Sequence, residues 1–213
     1  MKMRVWMNQR SLGASLAAAL VTAGCADPTA EKYVAPPQGS NWTLAVRDSG
    51  SFGSANIQSR TTVGDGTWQG RRMLALIGEQ QTLLVDPANG CWVAQVKGAA
   101  PLVSWDPPLC LRWPLKVGEE WSSGHVVTNY QPRKQTIKYD ARRKVEAHES
   151  VSVPAGSIKA FKLRYSDTAG IERTDWFSPE LGIIVKSQVR RGGSSKAGPG
   201  TRDTELVSHT IKR

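Results

Sequence analysis

The chain is 213 residues long and carries 28 lysines and arginines against 18 aspartates and glutamates, a formal charge of +10. That length suits a single domain with a real hydrophobic core. The basic balance points either to anionic neighbours, attracted over a range that salt shortens, or simply to a surface decorated with lysine and arginine. Residues 1–10 hold Lys2, Arg4 and Arg10 and no acid, and residues 12–25, LGASLAAALVTAGC, follow as an uncharged run of small and apolar side chains. The run falls short of the about 20 apolar residues that a membrane-spanning helix needs, so the two segments together read as a signal peptide. Export excludes nucleic acid as a partner.

The end of that run, Thr22-Ala23-Gly24-Cys25, resembles the lipobox of bacterial lipoproteins. The resemblance implies cleavage before Cys25, diacylglycerol on its thiol and acylation of the new amino group. Several acyl chains, at roughly 0.8 kcal/mol per buried CH2, hold a protein to a membrane far more firmly than one. The alternative is an ordinary cleaved signal with an incidental cysteine. Ala26 is not the aspartate that retains such proteins in the inner membrane of enteric bacteria, which implies the periplasmic face of the outer membrane. Losing residues 1–24 removes Lys2, Arg4 and Arg10 and takes the net charge from +10 to +7. Residues 26–41, ADPTAEKYVAPPQGSN, contain three prolines and no periodicity. They are expected to form a flexible tether, reaching at most roughly 50 Å at about 3.3 Å per residue.

Residues 42–213 read as one β-rich domain. Short runs of β-branched and aromatic residues alternate with Gly, Pro, Asn and Asp turns. Residues 57–63 and 68–77 flank Gly64-Asp65-Gly66, and residues 82–86 and 91–96 flank Pro87-Ala88-Asn89-Gly90. Asp-Gly and Asn-Gly supply the positive φ of tight hairpins. Residues 126–130 and 135–139 flank Gln131-Pro132-Arg133-Lys134, and residues 142–153 turn through Pro154-Ala155-Gly156-Ser157 into 158–165. There Phe161, Leu163 and Tyr165 alternate with Lys162 and Arg164, the pattern of a strand with one buried face. Runs at 171–177, 182–190 and 204–211 follow, with a Gly/Ser/Pro loop at 192–200. Residues 71–81 mix helix and strand periodicity and are read as strand; residues 101–114 are too proline-rich for one. The expected fold is all-β: an antiparallel curved sheet of about nine to eleven strands, as a sandwich or partly open barrel.

Once Cys25 carries lipid, Cys91 and Cys110 are left in a compartment where disulfides persist. A disulfide between them is expected, worth about 3 kcal/mol in the chain-entropy account, with two buried free thiols as the alternative. Searching for chemistry gives no catalytic, metal or cofactor site. His125, His148 and His209 fall in three separate strands without metal-ligand spacing. Ser123-Gly124-His125 lacks the Gly-x-Ser-x-Gly elbow of a hydrolase. Residues 192–198 lack the Gly-Lys-Ser/Thr of a phosphate loop, and Glu119 and Glu120 are neighbours that a strand sends to opposite faces. No enzymatic activity is expected.

Seven of the eight tryptophans lie beyond the signal peptide. Core packing accounts for most of them, while Trp105 and Trp113, near Cys110, are the candidates for facing a ligand. Three stretches, residues 114–121 (PLKVGEEW), 151–161 (VSVPAGSIKAF) and 176–186 (WFSPELGIIVK), resemble an uncharacterised family of β-rich bacterial lipoproteins and periplasmic domains. The resemblance implies a β-rich domain and no catalytic residue. Three functional readings remain. The first is a lipid-anchored binding or structural module that meets an anionic envelope component or an envelope protein through basic strands such as Arg142-Arg143-Lys144 and residues 186–191. The second is a carrier of a lipid or other apolar molecule in an open barrel. The third, unsupported by any acid pair, is a cell-wall glycan hydrolase.

Overall fold

The computed structural model describes residues 28–212. The segment read as a signal peptide, the cut site expected after it and Cys25 lie outside the described residues. Strand β1 (Thr29–Ala30) stands apart from the main sheet. The next six strands are β2 (Asn41–Gly50), β3 (Asn56–Trp68), β4 (Arg71–Gly78), β5 (Thr82–Val85), β6 (Trp92–Lys97) and β7 (Ala100–Leu109). The short β8 (Leu115–Lys116) pairs with β1 in a sheet of two. Then come β9 (Glu120–Asn129), β10 (Gln135–Val153), β11 (Gly156–Asp167), β12 (Ile171–Ser178), β13 (Ile183–Arg191) and β14 (Gly200–Thr210). With β1 and β8 set aside, each strand pairs antiparallel with the next in the chain, and β14 returns to pair with β2. The result is a closed up-and-down barrel of twelve strands, an architecture that leaves no sheet edge exposed to other chains.

The all-β antiparallel reading agrees with this architecture; the details of closure and strand count differ. The barrel is closed rather than partly open, and it has twelve strands rather than nine to eleven. One added strand is β7, which occupies part of the segment judged too rich in proline. Pro101 stands at the β6–β7 turn, opposite Val96, and Pro107 and Pro108 fall where the pairing with β6 jumps from Ser104 to Leu109. A ladder interrupted there does not need the N–H groups that proline lacks.

The expected turn at Gly64-Asp65-Gly66 is strand interior. β3 runs unbroken to Trp68, and the turn falls at Gln69 and Gly70, both at positive φ. Gly66 is there for space: a Cβ on it would lie 2.6 Å from Leu84 Cδ2. The Pro87–Gly90, Gln131–Lys134 and Pro154–Ala155 turns and the 192–199 loop connect strands as the sequence suggests. The mixed periodicity of residues 71–81 has a cause in burial on both faces of β4. Leu74 joins one apolar cluster while Met73 and Ala75 join another.

The tether also needs correction, because its described part is docked on the barrel. β1 pairs with β8, Ala30 is buried with Leu115, and Pro36 is fully buried. A Cβ on Gly182, which has φ +70, would collide with the carbonyl of Val34, so the docked segment needs glycine there. The folded domain therefore starts at residue 29 rather than 42. Among the described residues, all strands and all four apolar clusters lie within 29–211. Outside the barrel, Lys138, Asp140, Arg142 and Lys144 of β10 are exposed in alternation with buried Tyr139, Ala141, Arg143 and Val145. A charged outer face is the reverse of what lipid-facing strands require.

Candidate ligand cavity

Alternation sends every second residue of a strand towards the barrel axis, and the inward residues here do not fill the interior. A cavity of about 490 Å³ remains, reached by Trp42 and Leu44 of β2, Leu83 and Val85 of β5, Arg173, Asp175 and Phe177 of β12, and Arg202 and Thr204 of β14. Its walls divide by sector. Trp42, Leu44, Leu76, Leu83, Val85 and Trp92, on β2 and β4–β6, form an apolar wall, whereas Arg143, Arg173, Asp175 and Arg202, on β10–β14, form a charged one. Volumes of roughly 300–1,000 Å³ with apolar walls and a few placed polar groups are typical of small-molecule sites.

The charged wall is built by register. Cross-strand partners run in one unbroken series from Arg143 to Tyr165, Arg173, Val189, Arg202 and Asp48, across six neighbouring strands. Along this belt Arg202 is fully paired: its Nε and Nη2 donate to the two carboxylate oxygens of Asp48, each at 2.7 Å, and this partner raises its pKa. Asp175 accepts from Ser187 Oγ at 2.6 Å and lies 2.8 Å from Arg173 Nε, which is off the N–H direction and left without a hydrogen bond. The Arg173 guanidinium sits between the rings of Trp92 (4.9 Å) and Tyr165 (5.0 Å). Arg143 is different. It is 5% exposed, and its guanidinium stacks on Tyr165 at 4.9 Å. Its one hydrogen bond is a long donation to Ser123 Oγ, 3.3 Å, and no carboxylate of the described residues lies within ion-pair distance. Burial pushes its pKa down, and Arg173 nearby adds to the effect. Burial likewise pushes the Tyr165 phenol up, assisted by its hydrogen bond to Asp167.

One end of the cavity is closed by aromatic side chains. Tyr33, Trp113 and Phe177 pack with ring centroids 5.9–6.4 Å apart, and burial pushes the Tyr33 phenol up to about 12. The Cys91–Cys110 disulfide holds the chain leading to Trp113 against the start of β6, and Trp113 Nε1 donates to Asn89 O at 2.9 Å. At the other end Phe52 is clamped by Arg191, 3.7 Å above its ring, and by Arg202.

Of the residues singled out from sequence, Trp113 lines the cavity and Trp105 does not. Trp105 lies tilted against Trp92, ring centroids 6.5 Å apart, and packs on the cluster of Tyr139 and Tyr165. Cys25 lies outside the described residues. His125, His148 and His209 are on β9, β10 and β14, and among the described residues no group of three or more His, Cys, Asp or Glu is placed to hold a metal ion. Sequence reasoning missed Arg143, taking Arg142-Arg143-Lys144 as one outward basic stripe. The two-residue period of Tyr139, Ala141, Arg143 and Val145 was the signal that separates it from its neighbours. It also missed that Ser123 and His125, two apart on β9, share the inner face and meet: Ser123 Oγ lies 2.6 Å from His125 Nε2. Pro107 O, 2.8 Å from His125 Nδ1, can only accept, so the proton is on Nδ1 and Ser123 donates to Nε2.

No protein-family model matches the sequence, and no curated protein matches it. Three solved structures are similar in fold outline. A Bacteroides fragilis protein described as exported, with a YmcC-like fold, is 12% identical, with a TM-score of 0.48 over 84% of this chain and 99% of its own. The hypothetical lipoprotein YmcC of Escherichia coli is 8% identical, with a TM-score of 0.36 over 81% of this chain and 86% of its own. A protein from Parabacteroides distasonis described as a lipoprotein is 12% identical, with a TM-score of 0.40 over 85% and 99%. At such identities and scores the likenesses assign no activity. The function has to be read from the cavity.

Proposed function

We propose that this chain is a non-enzymatic lipoprotein of the bacterial cell envelope, anchored through Cys25, that holds one small and largely apolar molecule inside its barrel. A single observation carries the reading: a closed barrel that keeps, beside its packed apolar clusters, an indole- and leucine-walled cavity of about 490 Å³. Interiors normally pack to the density of organic crystals, and unfilled space forfeits contacts. A lumen kept open at that cost is best explained by an occupant. The reading favours a carrier or holder over a module that acts through its basic exterior, since Arg143 of the supposed outer stripe faces inward and Lys186 is paired with Glu205 at 2.7 Å.

The anchor sets where the cavity sits. Only the residues between Cys25 and Thr29 precede the first paired strand, a reach of about 14 Å at full extension. The barrel would therefore rest close to the bilayer surface, with the Tyr33–Trp113 end nearest the point of attachment. The test is to extract the lipidated protein from its membrane and weigh it intact by native mass spectrometry. A discrete adduct that denaturation releases is expected, along with labelled palmitate on the wild type and none on Cys25→Ser. Protein with only the mass of the lipidated polypeptide that also fails to take up any added apolar probe would refute the carrier reading.

A further inference from the structure

We infer that the occupant is a single-chain amphiphile with an anionic head, a carboxylate or a phosphate monoester, bound with its head at Arg143 and Arg173 and its chain along the wall of Leu76, Leu83 and Val85. The inference rests on the carrier reading above and adds the chemistry of the ligand. Its foundation is a charge imbalance on the wall of the cavity. The charged side chains of the belt are Arg143, Arg173 and Arg202 against Asp48 and Asp175. Asp48 is committed to both donors of Arg202, and Asp175 to Ser187 and Arg173. Asp167, the next carboxylate along β11, already accepts from Tyr165 Oη and from the Ile171 amide. Arg143 is left as a nearly sequestered cation with five N–H donors and one long hydrogen bond.

A buried cation without a counter-ion is costly, and this one opens onto the cavity, as does the imperfectly bonded Arg173. Tyr165, on the strand between them, has both guanidinium groups near its ring, Arg143 at 4.9 Å and Arg173 at 5.0 Å from the centroid. The planar guanidinium fork suits bidentate recognition of carboxylate or phosphate oxygens. The opposite wall is mainly apolar, with Leu76, Leu83 and Val85 outweighing polar side chains such as Thr61 and Gln95, so the remainder of the ligand is an apolar chain.

The test uses the whole mature chain with Cys25→Ser and four probes of equal chain length: dodecanoate, dodecyl phosphate, dodecanol and dodecylamine. Saturable quenching of tryptophan fluorescence reads binding. The two anions are expected to bind at least tenfold more tightly than the alcohol, with the amine weakest, and the tighter of the two anions identifies the head group. R143Q is expected to bring the anions down to the affinity of the alcohol while leaving the alcohol unchanged. If acid and alcohol bind the wild type equally, the head-group assignment is overturned while the carrier reading stands. If none of the four binds saturably, both fall. Should R143Q fail to fold, as read by circular dichroism, the ranking of the four probes on the wild type still decides.

Discussion

At the scale of single residues, the barrel interior contains groups whose charge state is set by burial. His125 is 4% exposed and uses both ring nitrogens, and burial holds its pKa below the ordinary 6.5; burial does the same to His148 on the ring of Phe161. The unfolded chain therefore takes up protons on these histidines before the folded chain does. Stability is full above pH 6.5 and is lost as pH falls towards the folded values. Tm is expected to be level from about pH 8 to 7 and to decline between about 6.5 and 5. Asp65, held low by Gln38 and Arg72, titrates below that window. His125→Asn should have a lower Tm at pH 7 but a flatter profile, and an unchanged slope would show that the neutral ring is not what the fold favours. Arg143 gives the opposite kind of prediction. If its charge serves a ligand and not the fold, Arg143→Met should leave the ligand-free barrel as stable as the wild type or more so, by about 1–2 kcal/mol. A loss of several kcal/mol in denaturant titration would make Arg143 a structural residue instead.

At the scale of elements, the disulfide and the docked N-terminal segment together make the aromatic cap. Cys91 and Cys110 are 19 apart in sequence, and closing a loop of that length lowers the entropy of the unfolded chain by an amount worth about 3 kcal/mol. The double substitution Cys91→Ala, Cys110→Ala is expected to lower stability by about that much and to loosen the segment carrying Trp113. Hydrogen exchange should then quicken at residues 110–114 and at Tyr33 while β10–β13 stay protected. Exchange rising equally in all strands would mean that the cap and the barrel form one cooperative unit. This is also the scale at which the sequence was most and least legible. Turns written in local chemistry, such as Pro87-Ala88-Asn89-Gly90 and Pro154-Ala155, could be read directly, as could the alternation of Phe161, Leu163 and Tyr165. What escaped depended on partners far away in the chain. Gly64 and Gly66 look like turn residues until Ile77 and Leu84 are seen pressing on them. Residues 29–37 look like a linker until Leu115 and Gly182 are brought beneath them. Arg143 looks like surface until the barrel closes around it.

At the scale of the whole molecule, closure by β14 on β2 turns a meandering sheet into a container, and the container reading can be separated from any role of the outer surface. Leu83 stands on the apolar wall, half-buried and facing the cavity. Leu83→Trp adds an indole where empty space can take it up, so the usual cost of overpacking, about 1–3 kcal/mol, should be largely absent and Tm should move by only a few degrees. The same indole occupies the path of a bound chain, so uptake of dodecanoate is expected to fall by tenfold or more, with the external charges of β10 untouched. A partner that recognises the outside of the barrel would not register the change. The two measurements therefore separate the readings: binding lost at constant stability assigns the function to the lumen, whereas binding retained, with the envelope phenotype of a deletion fully rescued by the filled variant, assigns it to the exterior. A filled variant that is markedly destabilised would show instead that the interior is already packed, and the container reading would fail with it.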